Sequence, residues 1–280
     1  MPDARHGTAV KTIHSRDNPF FKELRKLAGS ARARRMAGLA LLDGVHLVQS
    51  CLAAGLQPRN ILVSASGMQA HEVAALLHAL PGVPVTCLDD ALFAELTELK
   101  SPTGILALIE QPRPDVPVAR SRFALLLEDI QDPGNLGSMI RTAAAAGCDA
   151  VFLSKGCADA WSPRVLRAGM GGHFVLSVHE AADLVATAAA FRGRCYAAAL
   201  GAGTSLYACD LAGTVAFAIG NEGAGLSSEL LQACRAVSIP MPGRVESLNA
   251  AAAAAVCLFE ALRQRVAPMH APQGAGGRKS

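Results

Sequence analysis

The chain has 280 residues, of which 51% are hydrophobic and 18% charged, and its formal net charge at pH 7 is +3. That length suffices for two domains, each with its own core. No apolar run reaches the ~20 residues that a membrane span needs, and residues 1–11 lack the apolar core of a secretory signal. We therefore expect a cytoplasmic protein that has no membrane partner.

The eight cysteines lie at least nine residues apart in the sequence. Zinc sites and redox pairs typically use two cysteines separated by two to four residues, so this spacing argues against both. Most of the cysteines have apolar neighbours, which is typical of reduced thiols inside a protein core. We expect no metal site.

Positive charge is concentrated at the start of the chain. Residues 1–35 contain nine Lys or Arg and three acids, so the remainder is slightly acidic. A basic arm on a nearly neutral body suits an anionic polymer such as RNA. The exposed face of a helix would carry the same charges, and charge alone does not separate the two interpretations.

Helices and strands alternate through the first 110 residues. A basic helical stretch is predicted from residue 18 to about 36, with one apolar stripe that comprises Phe20, Phe21, Leu24 and Leu27. Strands are predicted over 39–42, 60–64, 83–88 and 104–109. Helices are predicted over 45–54, 71–80 and 90–96. This alternation indicates a small α/β domain.

A second α/β series follows a segment without periodicity. Residues 111–122 contain three prolines and are predicted to be a linker between domains 1–110 and 123–266. Strands are then predicted over 123–128, 150–153, 175–178, 194–199, 214–219 and 236–239. Helices are predicted over 136–146, 163–169, 181–191, 227–234 and 248–265. The Gly- and Pro-rich tail, 267–280, is predicted to be disordered.

Three segments of the second series each join a strand to a turn that is rich in Gly, Asn and acids: 125–141, 217–226 and 237–249. In open α/β sheets, ligands bind outside the carboxyl ends of the strands, where such turns meet. Helix capping is the alternative role for the small polar residues in these turns, namely Asn135, Ser138, Ser247 and Asn249. The coincidence of three such turns favours a binding site.

The standard nucleotide and hydrolase fingerprints are absent from the sequence. It contains no G-x-x-x-x-G-K-[ST] phosphate loop and no G-x-S-x-G nucleophile turn, and the glycines after residue 219 do not have the G-x-G-x-x-G spacing. A small-molecule enzyme that uses a nucleotide therefore remains only as a disfavoured alternative.

The three turns do resemble the signature motifs of the SpoU (TrmH) family of RNA ribose 2'-O-methyltransferases, which belongs to the SPOUT superfamily. The matching residues are Asp132-Pro133-Gly134-Asn135-Leu136-Gly137 with Arg141, then Gly220-Asn221-Glu222-Gly223 with Gly225-Leu226, then Ile239-Pro240-Met241 with Glu246-Ser247-Leu248-Asn249. Residues 162–169 resemble the family's SP-x-V-x-R-A segment. Residues 18–35 and 42–48 resemble the substrate-binding domain that is often fused to it.

This resemblance implies a fold, a cofactor and an assembly. The expected fold is a SPOUT α/β domain with a deep trefoil knot, preceded by a small α/β RNA-binding domain, and the expected assembly is a homodimer. The expected methyl donor is S-adenosylmethionine, held in the knot mainly by backbone groups. Carried over residue by residue, the cofactor-binding residues are Leu200, Gly220, Asn221, Ile239 and Leu248.

The resemblance also implies the catalytic residues, which are Asn135, Arg141, Glu222, Ser247 and Asn249. The family sometimes assigns this arginine as the base, but a guanidinium is not deprotonated in proteins. We therefore expect Arg141 to grip a phosphate and to stabilise charge on the acceptor oxygen. Glu222 is expected to orient Arg141 or to accept the proton through water. Asn135, Ser247 and Asn249 are expected to fix the ribose and the loops by hydrogen bonds.

The substrate prediction combines the basic arm with the resemblance. Phosphate contacts are expected from Arg16, Lys22, Arg25, Lys26, Arg32, Arg34 and Arg35. Only 4% of the residues are aromatic, which favours recognition of shaped RNA over base stacking. Ribosomal RNA is expected in preference to tRNA, because the N-terminal domain resembles those of rRNA-directed members. A non-catalytic RNA-binding or assembly factor with the same fold is the remaining alternative.

Overall fold

The computed structural model describes residues 10–266, which form two compact units. Of the described residues, the first unit contains 10–115, 131–141 and 157–178, and the second contains 116–130, 142–156 and 179–266. The tail predicted to be disordered, 267–280, lies outside the described residues. Within 10–266, none of the helices combines the length and the apolar character that crossing a membrane requires.

The first unit is built on a five-stranded mixed sheet in the order β1-β4-β3-β5-β2. Its strands are β1 Lys11–Ile13, β2 Leu39–Asp43, β3 Asn60–Ser64, β4 Val85–Leu88 and β5 Ile105–Glu110. Its helices are α1 Pro19–Gly29, α2 Ala31–Ala37, α3 Val45–Ala53, α4 His71–His78 and α5 Asp90–Ala94. Strands β1, β4 and β3 run parallel, whereas β5 is antiparallel to both β3 and β2.

The basic stretch predicted to be helical from residue 18 is divided at Ser30. Ser30 has an extended backbone, and its hydroxyl accepts a hydrogen bond from the Ala33 amide at 3.2 Å, so it ends α1 and caps α2. Asn18 caps α1 in the same way, accepting from the amide of Phe20 at 2.9 Å. Phe21, Leu24 and Leu27, which belong to the predicted apolar stripe, are buried in the core of the first unit.

The second sheet has six strands in the order β11-β9-β10-β6-β7-β8. The strands are β6 Phe123–Leu127, β7 Ala150–Leu153, β8 Ser177–His179, β9 Arg194–Ala198, β10 Val215–Ile219 and β11 Arg235–Val237. The later helices are α6 Pro133–Ala145, α7 Pro163–Gly169, α8 Leu184–Ala190, α9 Ser228–Ala233 and α10 Ala250–Val266. All residues of β6 and β10 are buried, as is typical of parallel strands covered on both faces.

The α/β class predicted for both halves of the chain is confirmed, and two helix starts decide the capping alternatives, against Asn135 and in favour of Asn249. Helix α6 begins at Pro133, because the Asp132 carboxylate accepts from the Asn135 amide at 2.7 Å. Asn135 therefore lies inside the first turn and does not cap the helix. Helix α10 is capped by Asn249, whose side-chain oxygen accepts from the amides of Ala251 at 2.9 Å and Ala252 at 3.2 Å.

Candidate functional site

A cavity of about 410 Å³ lies in the second unit, where the chain leaves the carboxyl ends of β9, β10 and β11. Its size falls in the range of ~300–1,000 Å³ that is typical of sites for small molecules. The cavity wall is formed by three loops, with residues 198–201 in the first, 219–226 in the second and 238–248 in the third. Two of the three predicted segments, 217–226 and 237–249, therefore meet at this cavity, whereas its lining includes no residue of the first segment, 125–141.

All five residues predicted to bind the cofactor line this cavity: Leu200, Gly220, Asn221, Ile239 and Leu248. Two of the predicted catalytic residues, Glu222 and Ser247, line it as well. The side chains of Leu200 and Leu248 are 68% and 37% exposed, which is unusual for leucine. Exposed aliphatic side chains at the wall of a cavity can enclose the flat ring of a ligand.

Several residues of the wall were not predicted from the sequence. Leu226 and Met241 stand inside the quoted motifs and add apolar surface, and Leu231 contributes from α9. Ala250 and Ala253 contribute the small side chains of the first turns of α10. Nothing in the sequence distinguishes Leu231 from any other leucine on an amphipathic helix, so only the fold identifies it.

Gly220 permits the second loop to fold back on itself. A Cβ at this position would overlap the backbone of Gly225, and Gly225 itself has a left-handed backbone with φ 72°. The Gly225 amide donates to the Asn221 carbonyl at 2.8 Å, which closes the turn. The loop can therefore present backbone amides and carbonyls to the cavity, as the resemblance implies.

The side chain of Asn221 holds the same loop in shape. Its oxygen accepts from the amides of Gly223 at 2.8 Å and Ala224 at 3.1 Å, and its nitrogen donates to the Asp129 carbonyl at 3.0 Å. Both polar atoms of the Asn221 side chain are thus hydrogen-bonded to backbone groups of the protein. Its contribution to the cavity is the conformation of the loop.

Asp129 was not predicted, although it connects three strand ends. It is a non-glycine residue with a left-handed backbone, φ 53°. The Ser154 hydroxyl accepts from the Asp129 amide at 2.9 Å and donates to the Asp129 carboxylate at 2.6 Å. Gly156 passes so close that a Cβ there would overlap this carboxylate. Asp129 therefore joins the end of β6 to the end of β7 and, through Asn221, to the cavity loop after β10.

Glu128 anchors the other end of the cavity loop. Its carboxylate accepts from the Ser227 amide and from the Ser227 hydroxyl, both at 2.7 Å. Ser227 caps α9 directly after the cavity-lining Leu226. Glu128 and Asp129, the two residues that follow β6, thus hold the loop from both sides. Both lie in the predicted segment 125–141 but outside the residues that match the family motif.

Two of the predicted catalytic residues meet beside the cavity. The side-chain nitrogen Nδ2 of Asn249 donates to the carboxylate of Glu222 at 3.4 Å, so the second and third motifs contact each other. Both side chains, like that of Ser247, are exposed to solvent. A carboxylate and an amide in this position can hold a hydroxyl group by hydrogen bonds.

Asn135 and Arg141 belong to the part of α6 that lies in the first unit. Asn135 is half-buried and Arg141 is exposed. Between them, Gly137 packs directly on α7, since a Cβ at Gly137 would lie 2.5 Å from both the Val165 carbonyl oxygen and the Ala168 Cβ. The SP-x-V-x-R-A segment therefore forms the helix against which the first motif packs.

The basic residues of the first unit divide into two groups. Six of the seven predicted RNA contacts are exposed: Arg16, Lys22, Arg25, Lys26, Arg32 and Arg35. Arg16 pairs with Glu95 at 2.5 Å and Lys22 with Asp17 at 2.8 Å. Surface ion pairs of this kind are worth little, about 0–1 kcal/mol, so a phosphate can replace the acid.

Arg34 requires a correction. It is 4% exposed, and its guanidinium donates to Asp159 at 2.7 Å and to the carbonyls of Leu27 at 2.6 Å and Ala28 at 3.0 Å. The donors of Arg34 are thus used inside the first unit and do not reach a phosphate. Arg34 is therefore removed from the predicted RNA contacts.

Within residues 10–266, the acids, histidines and cysteines form no group of three or more that could hold a metal ion. The buried Arg34 is paired with Asp159 at 2.5 Å. The candidate site thus consists of backbone groups, aliphatic side chains and a few amides and carboxylates.

Comparisons with known proteins agree with the motifs. Residues 122–259 match the model of the SpoU rRNA Methylase family, and residues 18–107 match that of the MRM3-like substrate binding domain. A 23S rRNA (guanosine(2553)-2'-O)-methyltransferase of Bacillus subtilis is 34% identical, over 89% of this chain and 98% of that protein. A 23S rRNA (uridine(2479)-2'-O)-methyltransferase of Streptomyces viridochromogenes is 30% identical, over 92% of this chain and 94% of that protein.

A solved structure extends the agreement to the fold. The crystal structure of an AdoMet-bound rRNA methyltransferase from Sinorhizobium meliloti superposes with a TM-score of 0.77 at 29% sequence identity, covering 91% of this chain and 98% of that one. The resemblance predicted from the three motifs is confirmed on this basis. The chain belongs to the SpoU rRNA methylase family, and it carries the substrate-binding domain that the sequence predicts in front of it.

Proposed function

We propose that this chain transfers the methyl group of S-adenosylmethionine to a ribose 2'-hydroxyl of ribosomal RNA. The observation that carries the proposal is the cavity of the second unit, which gathers residues of the second and third motifs of a family whose relatives are named as rRNA 2'-O-methyltransferases. The Sinorhizobium meliloti relative, which carries AdoMet, supports the same donor for this chain.

The cavity suits this donor in size and chemistry. Gly220 and Gly225 bring the backbone of the second loop to the cavity wall, where it would bind the polar edges of the adenine and the carboxylate, while Leu200, Ile239 and Leu248 would enclose the ring. When bound, S-adenosylmethionine supplies a methyl group on a positively charged sulfur, which is electrophilic without further activation. The protein therefore contributes mainly alignment of the acceptor.

The acceptor hydroxyl is a very weak acid, so its proton needs a route away. Arg141, always charged, is assigned to the adjacent phosphate and to stabilising negative charge on the acceptor oxygen. Glu222 is assigned to proton acceptance through water and Asn249 to holding the Glu222 carboxylate. Asn135 and Ser247 are assigned to hydrogen bonds with the ribose.

Ribosomal RNA is proposed as the substrate in preference to tRNA. The curated relatives of Bacillus subtilis and Streptomyces viridochromogenes act on 23S rRNA by their names, and they span this chain over most of its length. The six exposed basic residues around α1 and α2 provide phosphate contacts. We infer that the affinity for RNA falls steeply with salt, as it does when Lys and Arg release counterions from phosphates.

The remaining expectations from the family form part of the proposal. We keep the division at 111–122 between the RNA-binding and methyltransferase domains, which the two matched ranges on either side of it support. The deep trefoil knot and the homodimer are proposed on family membership. The exposed side chains of Phe259 and Val266 on α10 support an interface there. The cytoplasm, where rRNA is available, is the proposed location.

The test combines substrate mapping with one variant. Ribose methylation in rRNA is mapped by mass spectrometry with and without the gene. Loss of the gene is expected to remove methylation at one ribose, and purified enzyme with S-adenosylmethionine is expected to restore it. Arg141→Ala is expected to abolish transfer while the calorimetric affinity for S-adenosylmethionine is unchanged, and Arg192→Ala, an exposed arginine outside the motifs, serves as the control. Cofactor binding without any transfer would identify a non-catalytic RNA-binding factor, and methylation found only in tRNA would overturn the substrate.

A further inference from the structure

Two cysteines that are far apart in the sequence face each other in the second unit. The sulfurs of Cys195, in β9, and Cys234, directly after α9, lie 3.1 Å apart. Both are free thiols. The sequence spacing argued against a redox pair, but it describes only local pairs, and here the fold brings the two sulfurs together.

The two thiols are unequal in access. Cys195 is 7% exposed, whereas Cys234 is half-buried. The Cys195 thiol can donate a hydrogen bond to a Cys234 thiolate, which lowers the pKa of Cys234 against the opposing effects of burial and the Glu128 carboxylate. By contrast, burial alone raises the pKa of the Cys51 thiol to about 11 and that of Cys257 to about 12.

We propose that Cys195 and Cys234 form an oxidative modification site, at which a peroxide converts the two thiols into a disulfide. An accessible thiolate beside a second, resolving cysteine is the arrangement that redox-sensitive sites use. The two sulfurs must approach by about 1 Å to reach the ~2.05 Å of a disulfide bond. The site does not depend on methyl transfer.

The chemistry proceeds in two steps that transfer two electrons from the thiols to the peroxide. The Cys234 thiolate attacks one oxygen of hydrogen peroxide, the O–O bond breaks, and hydroxide leaves, so that Cys234 becomes a sulfenic acid. The Cys195 sulfur then attacks the Cys234 sulfur, the S–O bond breaks, and water leaves with the thiol proton. Cys234 is the first nucleophile because it is the accessible thiol of lower pKa.

The disulfide would enclose much of the cavity wall in a covalent ring. Ala198 follows Cys195 by three residues, Leu231 precedes Cys234 by three, and both line the cavity. The whole loop 219–226 lies between them in the sequence. Oxidation would therefore tie the end of α9 to the strand that leads into the cavity.

The test is mass spectrometry of the full-length protein after treatment with equimolar hydrogen peroxide, alkylation of the remaining thiols and digestion. Trypsin releases residues 195–235 as one peptide, which contains Cys195, Cys209 and Cys234. A second cleavage after Glu222 separates Cys195 and Cys209 from Cys234 unless a disulfide joins them. The expected result is a peptide pair linked through Cys195 and Cys234, with Cys209 alkylated, that dithiothreitol separates.

Three variants make the outcome decisive. Cys209→Ser is the matched control and is expected to form the disulfide as the unmodified protein does. Cys195→Ser is expected to stop Cys234 at the sulfenic acid and its further oxidation products, and Cys234→Ser is expected to leave Cys195 reduced. Overoxidation of Cys234 in the unmodified protein without a link to Cys195 would overturn the proposal, and so would a link from Cys234 to Cys209.

Discussion

The two regions that concentrate polar residues in this chain use them in opposite ways. Around the cavity, the side chains of Glu128 and Asn221 bond to backbone groups of the protein, and the Asp129 carboxylate accepts from the Ser154 hydroxyl, so all three side chains shape the loops. Along α1 and α2, most basic side chains point into solvent, and Arg34 alone of the seven predicted RNA contacts is buried. A polar residue near a site is therefore informative only once its partners are known.

The largest expected effect is at the cavity and comes from adding one methyl group. Gly220→Ala places a Cβ in the backbone of Gly225, so the loop must open. Because a misplacement of ~1 Å can lower an enzyme's rate ~100-fold, we expect methyl transfer to fall by at least about that factor. Calorimetry with S-adenosylmethionine should show the cause as a lost or strongly weakened affinity. Gly203→Ala is the control, since a Cβ there meets no atom within 4 Å.

The second effect separates the buried arginine from its exposed neighbours. Arg34→Met leaves Asp159 without its partner inside the first unit, and removal of one member of a buried ion pair costs about 3–5 kcal/mol. Urea unfolding should report that loss in the free energy of unfolding. The next residue, Arg35, is exposed, so Arg35→Ala should change the free energy of unfolding by less than about 0.5 kcal/mol. Equal effects of the two variants would mean that Arg34 stabilises the fold no more than an exposed arginine does.

These two cases mark what the sequence can and cannot predict. Gly220, Asn221 and Leu248 line one cavity, because motifs that follow parallel strands meet at one edge of the sheet. Arg34 was wrongly predicted to contact RNA. Ser30 ends α1 and begins a second helix, and on that helix Arg34 lies on the buried face. Charge counting treats Arg34 and Arg35 alike.

The missed residues depend on contacts that no local pattern encodes. Asp129 and Ser154 are 25 residues apart and meet only because β6 and β7 pair with Leu127 opposite Leu153. Strand β1, with three residues, is too short for an alternating pattern to be recognised. The cysteine pair was invisible for the same reason, since β9 and α9 bring Cys195 and Cys234 together.

The third effect concerns His173, a buried side chain that should make the stability of the first unit depend on pH. His173 is 1% exposed in the first unit, and burial lowers its pKa to about 4, against an opposing backbone hydrogen bond with Ala160. Above pH ~6.5 the ring is neutral in both states. Below that pH, His173 is protonated in the unfolded chain, whereas in the folded protein it stays neutral down to about pH 4. Stability should therefore fall by about 3 kcal/mol between these two values and then level off.

The measurement for His173 is urea unfolding at several pH values, compared with the variant His173→Gln. The variant should be less stable at neutral pH, because a new side chain enters a packed site beside Gly169 and Trp161. Its stability should also decline less steeply from pH 6.5 to 4. Parallel slopes for the two proteins would mean that His173 does not carry this pH dependence.

The smallest effect tests whether the polar residues of the cavity act through shape. Asp129→Ala removes the bond to Ser154 and puts alanine into a left-handed backbone, which costs ~1–2 kcal/mol for a residue with a Cβ. We expect a roughly 10-fold weaker affinity for S-adenosylmethionine, since ~1.4 kcal/mol corresponds to one order of magnitude. Asp129→Asn keeps an acceptor for Ser154 and tolerates that backbone, so it should restore most of the affinity. Because Asp129 is not among the residues that line the cavity, a loss that Asn reverses would come from the loop held by Asn221. If both variants weakened binding equally, the Asp129 carboxylate itself would have to act on the cofactor. Asp129 would then contact the ligand rather than only shape the loop.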